Sequence, residues 1–188
     1  GRLRAASFFG AGAVLGKRNI FLIGPMGSGK SAVGKLLARQ LGAPFYDSDA
    51  EIEVRTGVDI PYIFEKEGEA GFREREREVI ALLTAMEPVV VSTGGGAILL
   101  AENRAQLSQR GVVVYLETSV RQQAGRVQHG RHRPLLRDVD PATKLAELMV
   151  QREPLYRGTA DVTVATDGRK VQQVVDRILA AIGTPAAG

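Results

Sequence analysis

Gly24-Pro25-Met26-Gly27-Ser28-Gly29-Lys30-Ser31 fits the pattern G-x-x-x-x-G-K-[ST] at every fixed position and directly follows the apolar run Ile20–Ile23. A strand, a glycine loop and a helix in that order make a cradle for phosphate. Glycines let backbone N–H groups turn inward around phosphate oxygens, and the dipole of the following helix faces the anion. Met26, Gly27, Ser28, Gly29, Lys30 and Ser31 are therefore the candidate nucleotide contacts. Lys30 has the reach for the β- and γ-phosphates, and the Ser31 hydroxyl suits Mg²⁺. The motif predicts a site for a nucleoside triphosphate.

Three further groups carry polar chemistry, two of them at the ends of apolar runs. Asp47-Ser48-Asp49 closes the run Pro44–Tyr46. One carboxylate there could face the Mg²⁺ shell while the other orients or deprotonates a hydroxyl, and one could equally cap the helix that follows. Gly94-Gly95-Gly96 follows Val89–Thr93. Three glycines, where a turn needs one, expose consecutive N–H groups and permit close approach by a ligand. Arg126, Arg131, Arg133 and Arg137 crowd a segment bent at Gly130 and Pro134, which suits a lid that carries a cation onto phosphate charge. The charge run Phe72–Val79, FREREREV, spreads around a helix as a mostly solvated face, with Arg73 and Glu76 a candidate inward pair. His129 and His132 have no acidic partner beside them, so a metal role is not assigned to them.

The elements that must position these groups alternate. Strand-like runs at Ile20–Ile23, Pro44–Tyr46, Val89–Ser92, Val112–Leu116 and Val162–Val164 have the continuous hydrophobicity of strands buried on both faces of a parallel sheet. Helix-like segments lie between and after them at Ser31–Leu41, Ala50–Met86, Asn103–Arg110, Ser119–Gln128, Pro141–Tyr156 and Arg169–Ile182. The pattern predicts an α/β fold of three layers with right-handed crossovers. The long segment after the second strand and the arginine-rich one at 128–140 would sit above the C-terminal strand ends, where such sheets bind ligands.

The 188 residues suit one compact domain, with 44% hydrophobic and 24% charged residues. There is no cysteine, which excludes disulfides and thiolate metal sites. Net charge is +4, mostly from arginine, but acidic residues are interspersed and no basic tract appears. The arginines thus point to small anionic ligands rather than nucleic acid. No apolar run is long enough to span a bilayer. Arg2, Arg4 and the apolar stretch Ala5–Leu15 faintly resemble a secretory signal, but an exported protein dependent on ATP has no obvious supply of it. Residues 1–18 are expected to be a flexible extension, the location cytoplasmic and the protein a monomer.

Taken in order, GPMGSGKS, DSD, GFRERE, STGGGA, RPLL and REPLY resemble the shikimate kinase family, from about Asn19 to Ile182. The resemblance implies a P-loop kinase with a five-stranded parallel sheet of order 2-3-1-4-5. It places a substrate-binding region at about 48–87 and a mobile lid at about 128–140, in one domain over 19–188. It implies ATP- and Mg²⁺-dependent phosphorylation of the 3-hydroxyl of shikimate, in chorismate and aromatic amino acid biosynthesis. By resemblance, Asp49, Arg73, Gly95 and Arg152 fall to shikimate, beside Gly94 and Gly96. Arg73 and Arg152 would grip its carboxylate, and Asp49 would bind the attacking hydroxyl. Asp47 would complete the Mg²⁺ shell through water beside Ser31, and Glu76 would hold Arg73. Arg133 matches the lid arginine, with Lys30 and Asp49 the other catalytic candidates, and Arg126 and Arg169 fall around adenine. In-line transfer without a phosphoenzyme is expected. Rival readings are another kinase on the same scaffold, for gluconate or a nucleoside monophosphate, or a nucleotide-dependent switch or nucleic-acid module.

Overall fold

The computed structural model describes residues 19–127 and 140–183. Residues 1–18, the lid segment with Arg131, Arg133, Arg137, His129 and His132, and residues 184–188 lie outside the described residues.

Strand β1 (Ile20–Ile23) is buried along its whole length at the centre of the sheet. It pairs in parallel with β3 (Val90–Ser92) on one side and β4 (Val112–Glu117) on the other, with Phe21 opposite Val91 and Val113. β2 (Phe45–Asp47) adds beyond β3, and β5 (Val162–Ala165) beyond β4. The order is β2-β3-β1-β4-β5, as the resemblance implied. Successive side chains of β1 leave on opposite faces. Ile20 and Leu22 join one core with Leu37 of helix α1 (Lys30–Leu41) and Ile178 of the C-terminal helix Val171–Ala181. Phe21 and Ile23 join the other core with Ile80, Leu107 and Tyr156, from helices on the opposite side. A strand that feeds two cores must be apolar throughout, which is why β1, β3 and β4 read as unbroken runs.

The edge strands depart from that expectation. β2 is half-buried along its length, and β5 leaves Thr163 and Ala165 exposed, because each edge strand has a neighbour on one side only. Gly34 brings α1 close to β2: a Cβ there would lie 2.5 Å from the Phe45 ring.

The helical segment expected at Ala50–Met86, with a helix over Ala50–Thr56 started by an Asp cap, is two helices. α2 (Ser48–Thr56) ends at Gly57, whose φ of 72° is left-handed and open to glycine at little steric cost. α3 (Ile60–Thr84) starts afresh from Asp59, which accepts from the Tyr62 amide, with Pro61 in its first turn. α3 also bends at Gly68, where φ is 70° and ψ is −178°. A 3₁₀ turn (Ala97–Leu99) and α4 (Ala101–Arg110) follow β3. α5 (Val120–Val127) follows β4, and α6 (Pro141–Thr159) runs on from Asp140, its N-cap. The C-terminal helix is α7.

The helix expected to end around Arg152–Tyr156 continues through Pro154 to Thr159. Pro154 denies a helical bond to the Val150 carbonyl, but Val150 is 81% exposed, so water can take that bond. Arg152 is therefore not at the helix end, where a dipole would favour it, but in mid-helix and buried.

Candidate active site

The phosphate loop leaves β1 at Gly24 and turns through a Ser28 amide to Pro25 carbonyl bond of 3.3 Å. Gly29 caps α1 with a φ of 86°, a conformation that side chains resist. The Lys30 ammonium is buried and donates to the carbonyls of Gly24 at 2.7 Å and Pro25 at 2.8 Å, and to Ser28 Oγ at 3.3 Å. Those bonds hold the cation at the loop, one residue into the helix. α5 packs on the outer side: Arg126 Nη1 donates to the Gly27 carbonyl at 2.9 Å, and a Cβ on Gly27 would lie 3.0 Å from Gln123 Cα.

Asp47 ends β2 beside that loop. Its Oδ2 accepts from Ser31 Oγ at 2.6 Å, while Oδ1 accepts the Ala50 amide at 3.1 Å and so caps α2. The capping and the metal-side readings thus both apply to the same carboxylate. Hard oxygen donors at Ser31 and Asp47 fit Mg²⁺. Among the described residues no cluster of three or more metal-binding side chains exists. The pair accordingly suits an ion that takes most of its shell from phosphate and water.

Asp49, in the first turn of α2, faces the same cavity, whose volume is about 820 Å³. Ser31 and Asp47 line one part of it, and Arg73, Glu76, Gly94–Gly96 and Arg152 line the rest with Asp49. Ile60, Phe64 and Phe72 supply an apolar wall, with the two phenylalanine rings 4.9 Å apart. Asp49, Arg73, Glu76 and Arg152 come from three elements, α2, α3 and α6, and converge on the glycine strip after β3.

Close approach explains Gly94 and Gly96, while at Gly95 a Cβ would meet only ordinary contacts. A Cβ on Gly94 would fall 2.7 Å from Asp49 Oδ1 and 2.9 Å from Glu76 Oε2. One on Gly95 would lie 3.5 Å from Arg152 Nη1, and one on Gly96 2.7 Å from Arg73 Nη1. Ser48, fully buried between the two aspartates in sequence, accepts the Gly94 amide at 3.0 Å and ties α2 to the strip.

Arg73 donates to Glu76 Oε1 at 2.9 Å and to Glu69 Oε1 at 3.2 Å. Glu76 has no exposed surface. Burial pushes its carboxyl up to about 7, against the pull of the Arg73 guanidinium and with a further push from the Asp49 charge. Nε of Arg73 and Nε of Arg152 are buried without a hydrogen-bond partner among the described residues. An unsatisfied buried donor costs about 1–3 kcal/mol, and an anionic ligand would answer it. Two such guanidinium groups around one cavity form a fork for a carboxylate.

Of the residues singled out in the sequence, Met26, Ser31, Asp47, Asp49, Arg73, Gly94, Gly95, Gly96 and Arg152 share this cavity. Gly27, Ser28, Gly29, Lys30, Arg126 and Arg169 do not line it; the first four belong to the phosphate loop, Arg126 lies against that loop, and Arg169 donates to the Ala165 carbonyl at the end of β5. Sequence reasoning missed Ser48, whose flanking aspartates were the available signal, and Tyr156, the last residue of REPLY, whose hydroxyl donates to the Gly95 carbonyl at 2.5 Å.

The family model for shikimate kinase matches residues 26–183. The chain belongs to the shikimate kinase family. A shikimate kinase of Pseudomonas syringae pv. tomato is 56% identical over 163 residues, which cover 87% of this chain and 95% of that protein. Among solved structures, shikimate kinase from Acinetobacter baumannii in complex with shikimate superposes with a TM-score of 0.86 at 48% identity, over 92% of this chain and 96% of that one. The enzyme from Aquifex aeolicus gives a TM-score of 0.77 at 40% identity, over 87% and 95%. Membership of the shikimate kinase family displaces the readings as a gluconate or nucleoside monophosphate kinase and as a switch without kinase activity. Among the described residues no helix is long and apolar enough to cross a membrane.

Proposed function

We propose that this cavity is where ATP-dependent phosphorylation of the shikimate 3-hydroxyl, the family's reaction, takes place. The observation that carries the reading is the continuity of one cavity from Ser31 and Asp47, at the phosphate loop, to Arg73 and Arg152. Donor phosphate and acceptor acid can therefore meet inside it.

In this reading the loop amides from Met26 to Ser31 and the Lys30 ammonium bind the β- and γ-phosphates. Ser31 and, through water, Asp47 hold Mg²⁺. When bound, Mg²⁺ supplies charge neutralisation on the phosphate oxygens. Arg73 and Arg152 clamp the shikimate carboxylate, Glu76 keeps Arg73 in its rotamer, and the strip Gly94–Gly96 lies against the ring. Asp49 accepts the hydrogen bond of the 3-hydroxyl and aims its oxygen at the γ-phosphorus. The new P–O bond forms in line as the bond to the ADP oxygen breaks, and the hydroxyl proton leaves toward Asp49. Arg133 is assigned to the transferring phosphate, and Arg126 and Arg169 to the adenine, on sequence alone. Residues 48–87 serve as the acceptor region and 128–140 as the lid, in a monomeric cytoplasmic enzyme acting on small molecules rather than nucleic acid.

A coupled assay of ADP release with and without shikimate tests the reading. Shikimate-dependent release, with a product heavier by one phosphate, supports it; ADP release indifferent to shikimate rejects it.

A further inference from the structure

Tyr156 stands one helical turn after Arg152 on α6, so both side chains leave the same face. Tyr156 is fully buried and Arg152 is 4% exposed. The Tyr156 ring stacks on Tyr115 of β4, with centroids 5.1 Å apart and planes 14° from parallel. The two hydroxyls differ. That of Tyr115 is buried with no hydrogen-bond partner among the described residues. That of Tyr156 donates to the Gly95 carbonyl, 61 residues away, at 2.5 Å. The Arg152 guanidinium interacts with the same hydroxyl, opposing the burial that holds the phenol protonated well above its ordinary range.

Ring burial alone would be served by phenylalanine at either position. What the Tyr156 oxygen adds is a restraint on the middle peptide of the strip: the Gly94 and Gly96 carbonyls already accept the Ala97 and Leu99 amides, and the Gly95 carbonyl is held by Tyr156. Three successive glycines have no side chains to limit their rotation. Because the peptide unit is planar, fixing the Gly95 carbonyl also fixes the Gly96 N–H. The Arg152 guanidinium is the direct neighbour of that peptide, with Nη1 at van der Waals distance, 3.5 Å, from a Cβ on Gly95.

We propose that Tyr156 is a positioning residue for the acceptor: its hydroxyl fixes the Gly95 peptide relative to the Arg152 guanidinium and so sets the carboxylate end of the cavity. The inference rests on the assignment of Gly95 and Arg152 to shikimate. Tyr156 touches neither substrate in this account and acts through those two groups.

The test compares Tyr156→Phe with Tyr115→Phe, using shikimate and shikimate methyl ester as acceptors and recording melting temperature alongside. Tyr156→Phe is expected to raise the shikimate KM about tenfold, with kcat and ATP KM within about twofold, the scale of one lost buried hydrogen bond. The KM for the methyl ester, which lacks the clamped charge, should change little. Tyr115→Phe should leave all three constants at wild-type values. An unchanged shikimate KM in Tyr156→Phe overturns the proposal. So does a variant that fails to fold, or one that loses kcat and both acceptors together, since the hydroxyl would then serve stability alone. Wild-type protein run beside the variants separates the two levels: absent shikimate-dependent turnover there would overturn the acceptor assignment itself and this inference with it.

Discussion

Arg73 lies against the α-carbon of Gly96, so close that a methyl group there would fall 2.7 Å from Nη1. The same Nη1 donates to Glu76 Oε1 at 2.9 Å. A side chain at position 96 therefore has to displace the arginine or break that pair. Gly96→Ala should raise the shikimate KM by an order of magnitude or more and leave the ATP KM near wild type, since the phosphate loop is not disturbed. Steady-state kinetics with each substrate varied in turn reads the split.

Arg73→Lys separates charge from geometry. Lysine keeps the cation but loses the planar fork and the second bond to Glu69 or Glu76. The expected result is a large rise in shikimate KM with little change for ATP. An unchanged shikimate KM would remove Arg73 from the carboxylate clamp.

Asp47 has two duties, and two substitutions divide them. Asp47→Ala removes both the Ala50 cap and the Ser31 partner. It should lower stability by about 1 kcal/mol, the usual worth of an N-cap, and reduce kcat. Asp47→Asn keeps a capping oxygen but loses the negative charge. It should melt close to wild type and still turn over slowly, with a raised magnesium requirement. Thermal melts and magnesium titrations of the two variants give the comparison.

Glu76 makes acceptor binding depend on pH. Its carboxyl is raised to about 7 by burial, from an ordinary value of 4.5. A bound carboxylate adds negative charge nearby and raises it further, so binding takes up protons. Shikimate affinity should therefore weaken as pH rises through about 7, and Glu76→Gln should flatten that dependence. Stability has the same direction. Between 4.5 and about 7 the native state holds a proton that the unfolded chain has released, so this group's contribution falls across that window as pH rises. Calorimetry in buffers of different ionisation enthalpy measures the proton uptake directly.

Much of this was legible in the residues. The apolar runs at Ile20–Ile23 and Val112–Leu116 announce strands buried on both faces, and the glycine loop between Ile23 and Lys30 announces a phosphate site. Within the FREREREV run, spacing offered Arg73 with Glu76 but could not choose it. The choice comes from burial, since Glu76 is sealed inside while Glu74 pairs with Arg77 at the surface. The break at Gly57–Asp59 was punctuated in sequence by a glycine and by Asp59-Ile60-Pro61, in agreement with a capped helix that ends at Thr56. The pairs Ser48 with Gly94 and Tyr156 with Gly95 join residues 46 and 61 apart. Local spacing carries no information about such partners, because only the packing of α2 and α6 on the sheet brings them together.

Asp49 is the group on which the account turns, since it stands in the cavity shared by the phosphate loop and the two arginines. The most direct measurement is single-turnover phosphorylation of shikimate by Asp49→Asn, with the Kd of ATP and of shikimate determined on the same protein. The account predicts a loss of at least about 100-fold in the rate of transfer, with ATP affinity retained and shikimate affinity altered only a few-fold. Wild-type transfer by that variant would contradict it.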